Sequence, residues 1–295
     1  MRNMTKWIPK ITCCVDWLSI TASNKPEKLN PPDHTKAGEK LEHGMLGYTV
    51  GKKYVDGRIE LHNPDRPDMG VHIIYSGDVL RVLDEVGVTS GMELAVWHIA
   101  SGNRPARVDV AIDVYDYRLQ VSELSEMFDS KRVVTNTRSG RFVRGLRETG
   151  DTLYIGGRKA KKMVRVYDKA KEQRIKGDWK RIELQARGAM AASVIKAVNN
   201  SGSQQDGIAG VIRGFVDFPE SPTWGAIFGT KDMKLERPER GVSNRERWII
   251  EQVLPALANH LCDPHERMTI EEFNTRLQLE IKAVIDRMAE LAVRQ

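Results

Sequence analysis

TLYIGGRKAKKMVRVYDKAKEQRIKGDWKRIELQAR, residues Thr152–Arg187, is the stretch whose reading decides the fold. TLYIG (Thr152–Gly156) and KMVRVYDK (Lys162–Lys169) are rich in β-branched, aromatic and long apolar residues, and Gly156-Gly157 marks a turn between them. RIELQA (Arg181–Ala186) follows a loop that contains Gly177 and Asp178. Three short strands are therefore predicted. Strand side chains alternate between faces, so Met163, Arg165 and Tyr167 share one face, as do Arg181, Glu183 and Gln185. A tyrosine, several arginines and a glutamate can then meet on one side of a sheet, a surface suited to a phosphate and to a metal ion. The plainer reading of the same residues is a solvated charged face.

Upstream, RVDVAIDVYD (Arg107–Asp116) alternates Val108, Val110, Ile112 and Val114 with Arg107, Asp109, Ala111 and Asp113, the pattern of a half-buried strand with two carboxylates on its polar face. At about 3.3 Å per residue their Cα atoms lie roughly 13 Å apart, too far for both to ligate one ion simply. One of them is expected to hold an arginine. Ile11–Thr21 reads as the first strand, with Ile11, Cys13, Val15 and Trp17 on one face and Cys14, Asp16 and Leu18 on the other.

Asn24–Lys53 is polar and reads as a loop. Tyr48–Tyr54, Gly57–His62 and Gly70–Tyr75 read as meander strands, and Asp78–Val86 and Thr89–Ile99 as helices. Ser122–Phe128 reads as a short helix capped by Ser122, Lys131–Thr149 has no clear period, and Gly188–Val198 reads as a helix. Capping boxes at Ser243/Glu246 and Thr269/Glu272 introduce C-terminal helices, with Pro255 kinking the first. Phe273, Leu277, Ile281, Val284, Met288 and Leu291 form an apolar stripe that packs on its own domain or, alternatively, makes a homodimer seam. The fold class expected is α+β. A largely antiparallel catalytic domain spans 1–215, and a helical region for DNA recognition, dimerisation or both spans 216–295.

The net charge of +6 is unevenly spread. Lys131–Arg187 carries 18 Lys and Arg against 6 Asp and Glu, a net of +12, which leaves about −6 for the remainder. That is the electrostatic footprint of a polyanion partner. No apolar run of about 18 residues is present, so no membrane span is expected. The N-terminus has no signal-peptide pattern, and three cysteines give neither a disulfide framework nor a zinc site, so a cytoplasmic setting is expected. There is no His-x-His pair, GxxxxGK[ST] loop, GxSxG or HExxH motif.

VDWLSIT (Val15–Thr21), MGVHIIYSG (Met69–Gly77), RVDVAIDVYD, TLYIGGRKAKKMVRVYDKAKEQ and WKRIELQAR (Trp179–Arg187) occur in an order that resembles the replication initiation factors of filamentous phages and rolling-circle plasmids, to which some relaxases of integrative elements are related. The resemblance implies site-specific nicking of single-stranded or supercoiled origin DNA. A tyrosine would attack the phosphodiester, leaving a 5′-phosphotyrosine and a free 3′-hydroxyl. It also implies Mg²⁺ or Mn²⁺ held by carboxylates, and a host helicase as a further partner. Tyr167, in a Tyr-x-x-x-Lys spacing with Lys171, is the first candidate nucleophile and Tyr154 the second. Some plasmid members carry a tyrosine where this chain has Lys171, and if theirs were the nucleophile this chain would need another. Asp16, Asp109, Glu183 and Asp113 are the candidate metal ligands. Arg158, Lys159, Lys161, Lys162, Arg165, Lys169 and Arg181 are the candidate DNA contacts, with Lys171 beside the nucleophile. Two other uses of the same surface are a relaxase for mobilisation and a non-catalytic origin-binding regulator.

Overall fold

Alternating apolar residues give the chain its central strand. Val108, Val110, Ile112 and Val114 are buried on one face of Arg104–Tyr115, which lies in the middle of a large antiparallel sheet. The structure is a computed structural model that describes residues 9–23, 38–145, 149–229, 269, 271–279 and 282. In chain order its strands are β1 (Lys10–Ala22), β2 (Gly38–Lys40), β3 (Val50–Tyr54), β4 (Ile59–His62), β5 (Val71–Ser76), β6 (Arg104–Tyr115), β7 (Val134–Thr135), β8 (Gly140–Val143), β9 (Thr152–Ile155), β10 (Lys162–Asp168), β11 (Lys180–Arg187) and β12 (Val216–Asp217). The helices are α1 (Gly77–Glu85), α2 (Gly91–Ala100), α3 (Val121–Asp129), α4 (Lys169–Glu172), α5 (Ala189–Asn199), α6 (Gln204–Arg213) and α7 (Pro222–Phe228). Ten strands form one sheet in the order β2-β3-β4-β5-β1-β6-β11-β10-β9-β8, and β12 pairs with β7 separately. The α+β, largely antiparallel architecture is as expected.

One face of the sheet carries the core. Leu18 and Ile20 of β1, the four apolar residues of β6, Ile182 and Leu184 of β11, Val164 and Val166 of β10, and Leu153 and Ile155 of β9 form one buried cluster with residues of α1, α2, α3, α5, α6 and α7. The helices cover that face because each presents an apolar side to it, as Val79, Leu80 and Leu83 do in α1. In α2 the Ser90/Glu93 capping box is complete, with the Ser90 hydroxyl accepting from the Glu93 amide and the Glu93 carboxylate accepting from the Ser90 amide. The opposite face of β6, β10 and β11 is polar.

Several local expectations are revised. Gln120, not Ser122, is the N-cap residue of α3. The aperiodic Lys131–Thr149 stretch contributes β7 and β8, and β2 lies inside the expected Asn24–Lys53 loop. α6 has no counterpart among the helices expected from the sequence. In β1 the register with β6 shifts between Val15 and Trp17. Asp16 is the extra residue of this β-bulge, so Trp17 moves onto the polar face opposite Asp109, and Leu18 moves into the core.

The chain divides into two units, Met1–Pro238 and Glu239–Gln295. α7 lies past residue 215 and joins the core of the first unit through Trp224, Ile227 and Phe228. In the second unit the Thr269/Glu272 capping box forms, and Phe273 and Leu277 are the half-buried positions of the described helical residues 271–279. Ser243, Glu246, Pro255, Ile281, Val284, Met288 and Leu291 lie outside the described residues.

Candidate functional site

Register places the polar residues of four strands side by side. On β11, Arg181 pairs with Asp113, Glu183 with Ala111 and Gln185 with Asp109 of β6. On the other side of β11, Tyr167 of β10 pairs with Arg181 and Arg165 with Glu183. Tyr154 of β9 then pairs with Arg165. Period-2 alternation, already legible in the sequence, therefore gathers Tyr167, Arg165, Glu183, Arg181, Asp109 and Asp113 on one face.

Glu183 is the hub. It is fully buried, its Oε1 and Oε2 lie 2.7 and 2.8 Å from Arg165 Nη2, and its Oε2 accepts from the Tyr167 hydroxyl at 3.2 Å. Burial pushes the Glu183 carboxyl up to about 7, with Arg165 opposing and Asp109 adding to the shift. Burial, then the Glu183 charge, raises the Tyr167 hydroxyl well above its ordinary value, so it rests protonated. Arg165 also stacks on the Tyr167 ring, 5.0 Å from its centroid. Tyr167 opens into a cleft of about 280 Å³ lined by Thr152, Tyr154, Arg165, Lys171, Glu172 and Arg174, among others.

A second cluster braces the first. Arg181 grips Asp113 with two bonds of 2.7 Å and also bonds Asp16, which the β1 bulge turns toward it. Trp179 donates its indole N–H to Asp113 at 2.7 Å. Farther along β6, Arg107 forms a two-pronged pair with Asp109 and covers the Trp17 ring. Cys14 lies on the same face, and burial pushes its thiol up to about 12, so it rests as the thiol near neutral pH.

A family model described as replication initiation factor matches residues 104–262, more than half of the chain. The chain belongs to the replication initiation factor family. Among solved structures it is similar to a rolling circle replication initiator protein from Geobacillus stearothermophilus, with a TM-score of 0.59 and 21% identity over 71% of this chain and 87% of that one. That likeness is one of fold. No curated protein matches.

For a replication initiation factor the expected divalent metal needs several oxygen ligands converging at about 2.0–2.6 Å. The four candidate carboxylates do not converge in this way. Asp16 and Asp113 are both engaged by Arg181, Asp109 by Arg107, and Glu183 by Arg165 and Tyr167. Among the described residues no three His, Cys, Asp or Glu side chains form a group that could hold a metal. The residues as arranged do not fit the ion, and a metal would have to displace guanidinium groups to reach them.

The candidate DNA contacts fall into different places in this initiation factor. Arg165 and Lys171 border the Tyr167 cleft. Arg181 is buried in its ion pairs, and Lys169 is paired with Glu172. Arg158, Lys159 and Lys161 are exposed or half-exposed at the hairpin between β9 and β10. Lys162 is on the helix-covered face, its ammonium 4.6 Å from the Phe215 ring centroid. Tyr154, the second nucleophile candidate, lines the same cleft as Tyr167 under the Arg141 guanidinium, 5.1 Å from its ring centroid. Sequence reading missed Arg107, Trp179 and Arg174 as site residues. The first two were accessible from the same alternation, since Arg107 shares a face with Asp109 and Trp179 with Arg181 and Glu183.

Proposed function

We propose that this chain is a rolling-circle replication initiator that nicks origin DNA with Tyr167 as nucleophile. The observation that carries this reading is the Tyr167 hydroxyl bonded at 3.2 Å to a buried carboxylate at the edge of a cation-lined cleft. A nucleophile and base within hydrogen-bond reach, with the base oriented by a third group, form the arrangement that activates a weak nucleophile. Here Arg165 is the orienting group.

A scissile phosphate seated in the cleft would meet Arg165, Lys171 and Arg174, whose charges offset its own. As the Tyr167 oxygen bonds to phosphorus, its proton passes to Glu183. The bond from phosphorus to the 3′ oxygen breaks, that oxygen takes a proton from water, and a 3′-hydroxyl and a 5′-phosphotyrosine remain. The link keeps the phosphodiester energy, so the reverse attack can rejoin the strand. Asp113, Arg181 and Asp16 act indirectly, by fixing β11 and β1 beside the reacting group.

The test is nicking by paired single variants on single-stranded or supercoiled origin DNA. Tyr167→Phe removes one hydroxyl, and we expect nicking and covalent adduct to vanish while DNA binding persists. Tyr154→Phe is expected to slow the reaction only. The opposite pattern would make Tyr154 the nucleophile. Absence of nicking in the wild type with binding intact would favour an origin-binding regulator. A relaxase would share the chemistry and differ in the DNA it serves.

A further inference from the structure

Tyr115 and Trp179 lie just outside the reacting cluster and have no part in the step above. Tyr115 ends β6 and Trp179 immediately precedes β11, each two residues past the Asp113–Arg181 pair. Their rings stack with centroids 5.8 Å apart and planes at 26°. Tyr115 is 39% exposed and Trp179 half-exposed, whereas Asp113 and Arg181 immediately inward are buried. The exposed Lys10 places its ammonium 5.6 Å from the Tyr115 ring centroid. The indole bond to Asp113 fixes the Trp179 ring, so the pair is held in place before any ligand arrives.

This surface combines an aromatic pair with an exposed cation. An apolar protein or lipid partner would bury the Lys10 charge without compensation. A single-stranded nucleic acid alternates a flat base with a phosphate and satisfies both groups at once. A duplex does not, because its base faces are covered by their neighbours. Strand geometry sets the distance to the chemistry. Trp179 is two residues along from Arg181, which pairs with Tyr167, so its Cα is roughly 8 Å from that of Tyr167.

We propose that Tyr115 and Trp179 form a stacking platform for an unpaired DNA base beside the scissile phosphate, with Lys10 moving onto that nucleotide's phosphate. The proposal rests on the nicking reading and adds a positioning role to it. The platform would hold the strand in single-stranded form at the point where Tyr167 must reach phosphorus.

The test compares two labelled probes at fixed salt, an oligothymidylate of twelve nucleotides and the same backbone with abasic sugars. Wild-type protein should bind the oligothymidylate about tenfold or more tightly than the abasic strand, the size expected of base–aromatic stacking. Tyr115→Ser and Trp179→Leu should lose most of that preference while binding the abasic strand as wild type does, which also shows that they are folded. Trp179→Phe, which keeps a ring and loses the indole bond, should retain most of it. Equal wild-type affinity for the two probes would overturn the platform, as would variants that weaken both probes alike. Adduct formation by the wild type on origin DNA reports on the nicking reading separately, so a failed platform and a failed nicking mechanism are distinguishable.

Discussion

At the scale of single residues, the site is a set of carboxylates each held by an arginine. This arrangement makes Glu183 the residue to titrate. Its carboxyl sits at about 7 in the folded protein against 4.5 as a free side chain, raised chiefly by burial. As the base for Tyr167 it must be ionised, so the nicking rate should climb with pH through about 7 and then level off. Glu183→Gln should remove both the activity and that limb. The sign for stability is the opposite. A raised carboxyl stabilises the fold most below its unfolded value, and this contribution is lost as pH rises through the folded value. The urea midpoint of the wild type should thus fall between pH 4.5 and about 7 relative to that of Glu183→Gln; a parallel course would contradict a raised Glu183. These pairings were half legible in the sequence. Alternation told which side chains share a face, and the Asp109–Asp113 spacing suggested that one aspartate holds an arginine. Both do, because Arg107 and Arg181 come from a second position on β6 and from β11, and cross-strand register cannot be read from one strand alone.

At the scale of elements, the β1 bulge decides where Asp16 points. Strict alternation put Trp17 on the face of Val15 and Leu18 on the face of Cys14, and the inserted residue reverses both. A bulge is a property of two strands in register, so the sequence of β1 does not announce it. α6 was missed for a related reason. Its QQDGIAGVIR sequence carries two glycines and reads as a weak helix former, yet a Cβ on Gly207 would lie 2.8 Å from the Cα of Val198 in α5. Close packing of α5 on α6 needs that glycine and overrides propensity. The start of α1 makes a similar demand. A Cβ on Gly77 would lie 2.7 Å from Asp16 Oδ1 and 2.8 Å from the Asp16 carbonyl oxygen. Gly77→Ala should therefore push Asp16 from Arg181 and destabilise the protein by about 1–3 kcal/mol in urea unfolding. An unchanged midpoint would show that β1 and α1 have room to give.

At the scale of the molecule, the helices of the core pack on one face of the sheet, and the polar face of β6, β11 and β10 carries the candidate site. No described helix is long and apolar enough to cross a membrane. The basic segment Lys131–Arg187 supplies β7 to β11, three cations that line the cleft (Arg165, Lys171 and Arg174) and the exposed hairpin at Arg158 and Lys159. Release of counterions from about six phosphates would give a log–log salt slope near −5 for duplex DNA, and a slope steeper than about −3 is expected for origin DNA. A flat dependence would remove these cations from the interface. The antiparallel fold was legible from strand alternation because β6 and β10 alternate apolar with polar side chains even where both faces are buried. The short strands β2, β7 and β8 were not, since two to four residues carry too little pattern to separate strand from loop.

The most direct measurement is the peptide that becomes linked to DNA. Wild-type protein incubated with single-stranded or supercoiled origin DNA, digested and analysed by mass, should carry the nucleotide on the tryptic peptide Val166–Lys169, through the Tyr167 oxygen and a 5′-phosphate. A nucleotide found on the peptide containing Tyr154, or on any other tyrosine, would contradict the account.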